Sequence, residues 1–246
     1  MIIRIESHPA WQGIQAQWLN LWRMPAYSLP TLIFPVAFYV FFGLLMLRGQ
    51  ALWLLCTFAT FGVMGAALFS FGVGVAMERA QGWWRLLKAT PVPFASILVG
   101  KLFGAMLFGL IIVVMMAVLA AWFGEVRLPR SQWLGLAAML VAGTVPFALF
   151  GLALGLLLSP NAAPAVVNII YLPLGFLSGL WVPVTMFPDW LETLAAWLPP
   201  YHLAALALKL TGQIPGSMTL HWLVLLVYTV VFAAAAWLGW RRFTGS

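Results

Sequence analysis

Ala51–Met77, ALWLLCTFATFGVMGAALFSFGVGVAM, carries no charge over its whole length, and Glu78–Pro91, ERAQGWWRLLKATP, follows it at once. The first stretch is longer than the roughly 20 residues a helix needs to cross about 30 Å of hydrocarbon. The second gathers polar chemistry into a few positions: with Met77 it holds one of the chain's five acids and three of its twelve basic residues. Together they set the fold class, a lipid-embedded helix followed by a charged elbow in water.

The rest of the chain extends that pattern. Ser131–Pro188, Leu102–Gly124 and Leu210–Trp240 are also free of Asp, Glu, Lys and Arg. Hydrophobic residues make up 64% of the sequence and charged residues 7%, with a mean hydropathy of +1.04. Soluble domains average roughly 25% charged residues, so this chain could not cover a water-facing surface. An all-α polytopic membrane domain over 1–246 is expected.

Six spans are read at about 29–47, 51–76, 97–123, 132–158, 165–185 and 220–239. Pro35 is expected to bend the first, since an interior proline removes a helical hydrogen bond. Lys101, near the start of the third, is expected to snorkel its ammonium to the interface. Before the spans, residues of about 10–24 place Trp11, Ile14, Trp18 and Trp22 at helical spacing among glutamines and an asparagine, which reads as a helix lying in the interface. Residues 186–208 are broken by Pro188, Pro199 and Pro200 and read as outer re-entrant helices; an ordinary outer loop with an amphipathic helix is the alternative. Such backbone is tolerated at membrane depth only where protein or a wet cavity covers it.

An even number of spans puts both termini on one side. That side holds eight basic residues (Arg4, Arg23, Arg79, Arg85, Lys88, Lys101, Arg241 and Arg242) against Arg48, Arg127, Arg130 and Lys209 opposite. The asymmetry places the termini in the cytoplasm. The net charge of +7 is scattered beside apolar segments, so anionic headgroups account for it and nucleic acid does not. Met1–Asn20 lacks the basic start, apolar core and cleavage site of a signal peptide. The lone Cys56 allows no internal disulfide.

No chemistry of the chain's own is expected. Around Gly100–Lys101, Ala95 and Leu102 stand where a phosphate-binding loop needs glycine and Ser/Thr. His8, His202 and His221 are far apart in sequence, without ligand spacing. Gly175-Phe-Leu-Ser178-Gly179 is not a nucleophile elbow; its glycines read as a close-packing face, as do Gly100/Gly104 and Gly151/Gly155. Asn168 is the main amide inside a span, placed either to bond between helices or to line a path. No span carries a central acid, which argues against a proton-coupled carrier.

The elbow has two readings. Trp83, Trp84, Leu86 and Leu87 offer apolar bulk and Glu78, Arg79, Arg85 and Lys88 offer charge, a combination suited to contact with a soluble partner. The other reading is a positive loop that only holds the spans' orientation.

Glu78, Gly82, Leu86 or Leu87, Thr90 and Pro91 resemble the cytoplasmic segment after span two of ABC-2-type exporter membrane subunits. That segment has glutamate, glycine and a leucine-containing helix ending in Thr-Pro. Met77 and Trp83 replace the arginine and threonine of its Arg-Glu-x-x-Gly-Thr. Pro173, Ser178-Gly179, Pro183, Pro188, Trp190-Leu191 and Leu198-Pro199 resemble the family's later Ser-Gly…Pro…Pro-x-Trp-Leu…Pro pattern. The resemblance implies an ATPase-coupling region at 77–93, comprising Glu78, Arg79, Gly82, Trp83, Trp84, Arg85, Leu86, Leu87, Lys88, Thr90 and Pro91. It implies a translocation path or packing surface with Asn168, Pro173, Gly175, Ser178, Gly179 and Pro183. It also implies an outer re-entrant region with Pro188, Asp189, Trp190, Leu191, Pro199 and Pro200. The permease would sit in a prokaryotic inner membrane as a homodimer, or as a heterodimer with a related permease. It would bind no cofactor itself; two copies of a separate cytoplasmic ATPase would bind ATP and Mg. The implied cargo is a drug, lipid or lipid-linked glycan. A membrane scaffold or regulatory subunit that moves nothing is the rival reading.

Overall fold

The computed structural model describes residues 33–84 and 94–244, and these form helices without a strand among them. The expected interfacial helix at 10–24, the start of the first span and residues 85–93 lie outside the described residues. In chain order the helices are α1 (Ile33–Met46), α2 (Ala51–Ala80), α3 (Phe94–Phe123), α4 (Arg130–Leu157) and α5 (Ala163–Leu177). Then come α6 (Asp189–Ala195), α7 (Pro199–Leu210) and α8 (Thr219–Thr244).

Four of these are long and apolar enough to cross a membrane: α2, α3, α4 and α8. The described part of α1 and the whole of α5 are apolar but shorter. At 1.5 Å per residue they reach roughly 21–23 Å, short of a 30 Å core. Span five ends early for a local reason: Ser178 and Gly179 close α5 in a C-terminal turn. Gly179 adopts φ +74, the Gly179 amide donates to the Phe176 carbonyl and the Leu180 amide to the Gly175 carbonyl. This pair of bonds around a left-handed glycine is the Schellman stop. The Gly175/Gly179 spacing is therefore not one helical packing face. Gly175 packs on the Phe61 ring, and Gly179 is a turn.

Helix α2 is the axis of the bundle. In its most apolar window 83% of the residues are buried, against 39% in α3 and 17% in α8. Small residues allow this, because helices in lipid associate through close packing rather than exclusion from water. Gly151 and Gly155 of α4 lie against α2 backbone: a Cβ on Gly155 would fall 2.5 Å from the Phe71 carbonyl oxygen and 2.8 Å from that of Gly72. Gly65 leaves room for Tyr171 of α5, whose hydroxyl donates to the Phe61 carbonyl at 3.1 Å while its ring stacks on Phe61. Two π-helical stretches interrupt the regular winding, Tyr39–Met46 in α1 and Phe69–Val73 in α2. The first begins at Tyr39, after Pro35.

Residues 186–208 form two short helices, α6 and α7. Leu203–Leu208 of α7 are buried against the long helices. Leu203 sits over Gly143, where α4 changes course. Cys56 Sγ of α2 and Thr211 Oγ1 are 3.5 Å apart, and the Tyr228 hydroxyl of α8 donates to the Trp197 carbonyl.

Candidate functional site: the charged elbow after α2

Glu78, Arg79, Gly82, Trp83 and Trp84 fall within the described residues; Arg85, Leu86, Leu87, Lys88, Thr90 and Pro91 do not. The last turn of α2 carries Glu78 and Arg79 and ends at Gln81. Gly82 follows with φ +75, donating its amide to the Arg79 carbonyl. A side chain there would meet open space, so the glycine answers a backbone requirement alone. It turns the chain so that Trp83 faces outward, 48% exposed, while Trp84 tucks inward at 3%.

The two described charges of this elbow, Glu78 and Arg79, point into the bundle. Lys101 Nζ donates to Glu78 Oε1 at 2.5 Å, and the Trp84 indole N–H reaches Glu78 Oε2 at 3.4 Å. Lys101 is buried, so the expected snorkelling to the interface is corrected: a carboxylate waits one helix away, and pairing satisfies the ammonium inside. An opposite charge is what makes a buried ammonium tolerable. Trp84 also lies against Trp240 of α8, ring centroids 5.7 Å apart. Arg79 turns the other way, its Nη1 donating to the carbonyls of Gly155 at 2.9 Å and Leu156 at 2.6 Å. These are among the last carbonyls of α4, which have no partner within their own helix, and a cation there also meets the negative end of the helix dipole.

The elbow thus ties the ends of four helices: α3 through Lys101, α4 through Arg79, α8 through Trp84, and α2 by continuity. Sequence reading found the elbow but missed Lys101 as the partner of Glu78. The available signal was the one cation within an otherwise apolar helix following the elbow's single acid.

The other expected site residues are dispersed. Asn168 is on an exposed face of α5, and its amide donates to the Pro164 carbonyl of its own helix at 3.1 Å. Pro173 is exposed inside α5, Gly175 and Ser178 are buried, and Pro183 is half-buried in the segment that follows. Pro188, Asp189 and Trp190 are exposed, whereas Leu191, Pro199 and Pro200 are buried. The histidines missed at the sequence level meet at the opposite end of the bundle from the elbow. His202 Nδ1 of α7 lies 2.9 Å from His221 Nδ1 of α8, and His202 Nε2 contacts the Ala196 carbonyl at 2.9 Å. No group of three or more potential metal ligands occurs among the described residues.

Residues 10–211 match the ABC-2 type transporter family. The chain is also 27% identical over 226 residues to "Putative transport permease YvfS" of Bacillus subtilis (strain 168), an alignment covering 88% of this chain and 91% of that protein.

Proposed function

The chain belongs to the ABC-2 type transporter family, and on that premise we propose that it is the permease subunit of an ATP-driven exporter. ATP would be hydrolysed on a separate cytoplasmic ATPase carrying the nucleotide and Mg. The chain would have six spans, α1–α5 and α8, with both termini cytoplasmic in a prokaryotic inner membrane. Helices α6 and α7 would form an outer re-entrant pair, a reading supported by the burial of α7. Two permeases, identical or related, would pair and engage two ATPase subunits. The cargo would be hydrophobic or amphiphilic, of the drug, lipid or lipid-linked glycan kind.

The single observation that carries this reading is the anchoring of the elbow. Glu78, Arg79 and Trp84 bind inward to α3, α4 and α8, while Trp83 projects outward. Displacement of the outward surface by a partner would therefore reach four helices at once. This divides the labour among the residues: Trp83, with Arg85, Leu86, Leu87, Lys88, Thr90 and Pro91, would contact the ATPase, and Glu78, Arg79, Gly82 and Trp84 would transmit. A ligand-driven shift of this kind needs differential contacts in the two conformations, and the inward bonds are suited to supply them.

The test is reconstitution of the permease with its co-purifying ATPase in vesicles. ATP-dependent movement of an amphiphilic dye, abolished when Trp83→Asp prevents assembly of the complex, is expected. A chain that binds its ATPase without any ATP-dependent flux would be the scaffold or regulatory subunit of the rival reading.

A further inference from the structure

At the end of the bundle away from the elbow, a cavity of about 280 Å³ opens between α2, α7 and the segment that follows α5. Its walls are uncharged. Trp53 and Thr57 come from α2, Val184 from the segment after α5, and Ala205 and Leu208 from α7. Ser178 also lines it, 2% exposed, with its Oγ enclosed at the wall and without a hydrogen-bond partner. A buried hydroxyl left unpaired is unfavourable, so such groups in native folds call for an explanation. The Schellman turn supplies the local one: Gly179 at φ +74 ends α5 so that Ser178 stays at the cavity wall rather than continuing a helix.

We infer that this cavity is a binding site for a small uncharged amphiphile, its apolar part against Trp53, Val184 and Leu208 and one polar group hydrogen-bonded to Ser178 Oγ once that side chain rotates toward the cavity. The size sets the class. Ligand pockets run from about 300 to 1,000 Å³, so this one takes a single ring or one short chain and is too small for a two-chain lipid. The chemistry excludes ions, because no charged side chain lines the wall to offset their desolvation. Thr185, exposed at the rim, offers a mouth. The walls include the first turns of the helix whose far end is the elbow, which connects occupancy to the coupling region through one element. The biological use of the site rests on the exporter reading, in which such a molecule would be cargo or a modulator of transport.

Photolabelling of the purified full-length permease with 3-azioctanol, an uncharged diazirine-bearing alcohol, tests this, with 1-octanol as competitor and no ATPase or nucleotide present. Saturable label is expected on the peptides carrying Val184–Thr185 and Tyr201–Leu208. S178A should weaken the apparent affinity about tenfold, the scale of one lost hydrogen bond, and S178T should restore part of it. A205F should abolish the label by filling the cavity; T185W, at the exposed rim, gives the same readout without crowding the core. Label that does not saturate, or that spreads over the exposed face of α8 unchanged by T185W, overturns the site. Saturable label indifferent to S178A overturns the polar anchor. Because the assay needs neither ATP nor partner, saturable labelling of a chain that supports no flux would sink the exporter reading and leave the site standing.

Discussion

Lys101 Nζ and Glu78 Oε1 lie 2.5 Å apart across the α2–α3 interface, with side-chain exposures of 4% and 19%. The pair joins the elbow's one acid to the cation of the next helix. Removing one partner leaves the other desolvated. Lys101→Met is therefore expected to destabilise the permease by about 2–3 kcal/mol, somewhat below the figure for a fully buried pair because Glu78 keeps some water. The exchanged pair E78K/K101E should recover a good part of that loss. The check is the melting temperature of the detergent-solubilised protein by size-exclusion fluorescence, alongside permease-stimulated ATPase activity. Additive losses in the double variant would show that the two side chains are not coupled.

Arg79 closes the end of α4 by bonding the Gly155 and Leu156 carbonyls. Arg79→Ala should loosen the α2–α4 contact by about 1.5–3 kcal/mol, the range for hydrogen bonds to charged groups. Arg79→Lys should retain the charge but hold the two carbonyls less well, since an ammonium lacks the planar fork. Faster hydrogen exchange at residues 155–163 in Arg79→Ala, with exchange in α3 unchanged, is the expected signature.

Gly155→Ala places a methyl 2.5 Å from the Phe71 carbonyl oxygen and 2.8 Å from that of Gly72. Backbone cannot swing aside as a side-chain tip can, so α4 must back away from α2. A loss of about 1–3 kcal/mol is expected, in the range of overpacked cores. Gly49→Ala, whose Cβ meets nothing, serves as the control and should leave the melting temperature unmoved.

Gly82→Ala isolates a different effect. Its Cβ also meets nothing, but the residue sits at φ +75. A penalty of about 1–2 kcal/mol from the left-handed conformation is expected, and Gly82→Asn should restore part of it because asparagine tolerates that region. If coupled ATPase activity falls in Gly82→Ala and recovers in Gly82→Asn, the turn itself matters to transmission.

His202 gives the fold a dependence on acid. Burial lowers its pKa below the ordinary imidazole value, and its bond to the Ala196 carbonyl offsets this only in part. The folded state thus favours the neutral ring. Stability is full above the unfolded pKa of about 6.5 and is lost as pH falls through the depressed folded value. The facing ring acts in the same sense: two protonated Nδ1 atoms cannot share the 2.9 Å contact with His221. Tyr201, packed against both rings, is neutral over this range. The melting temperature should drop between pH 7 and pH 5, and His202→Gln should flatten the curve.

Which parts of this were legible in the sequence follows from what sequence encodes locally. Uncharged runs marked α2, α3, α4 and α8, because crossing hydrocarbon imposes a length and a composition. Gly82 and the Gly151/Gly155 pair were visible as small residues, and the packing partner of the latter, at Phe71–Gly72, emerged only in three dimensions. Lys101 misled for the same reason: a cation near a helix end looks like a snorkeller unless the acid beside it, 23 residues away in sequence, is known. His202 and His221 were dismissed by their separation, although a helical return brings them into contact. The end of α5 was misplaced because Leu180–Pro183 is as apolar as the helix before it, and the stop is written in one glycine's dihedral angle.

The π-helical winding of α2 at Phe69–Val73 lies between the elbow at one extremity and Trp53 at the other. A stretch with wider turns lacks the uniform ladder that makes an α-helix a stiff strut. Pull applied at Gln81 would therefore be partly converted to twist before it arrives at Trp53. On the exporter reading, the central helix would then work less like a piston than like a shaft with a compliant joint, seated where the neighbouring glycines of α4 press against it.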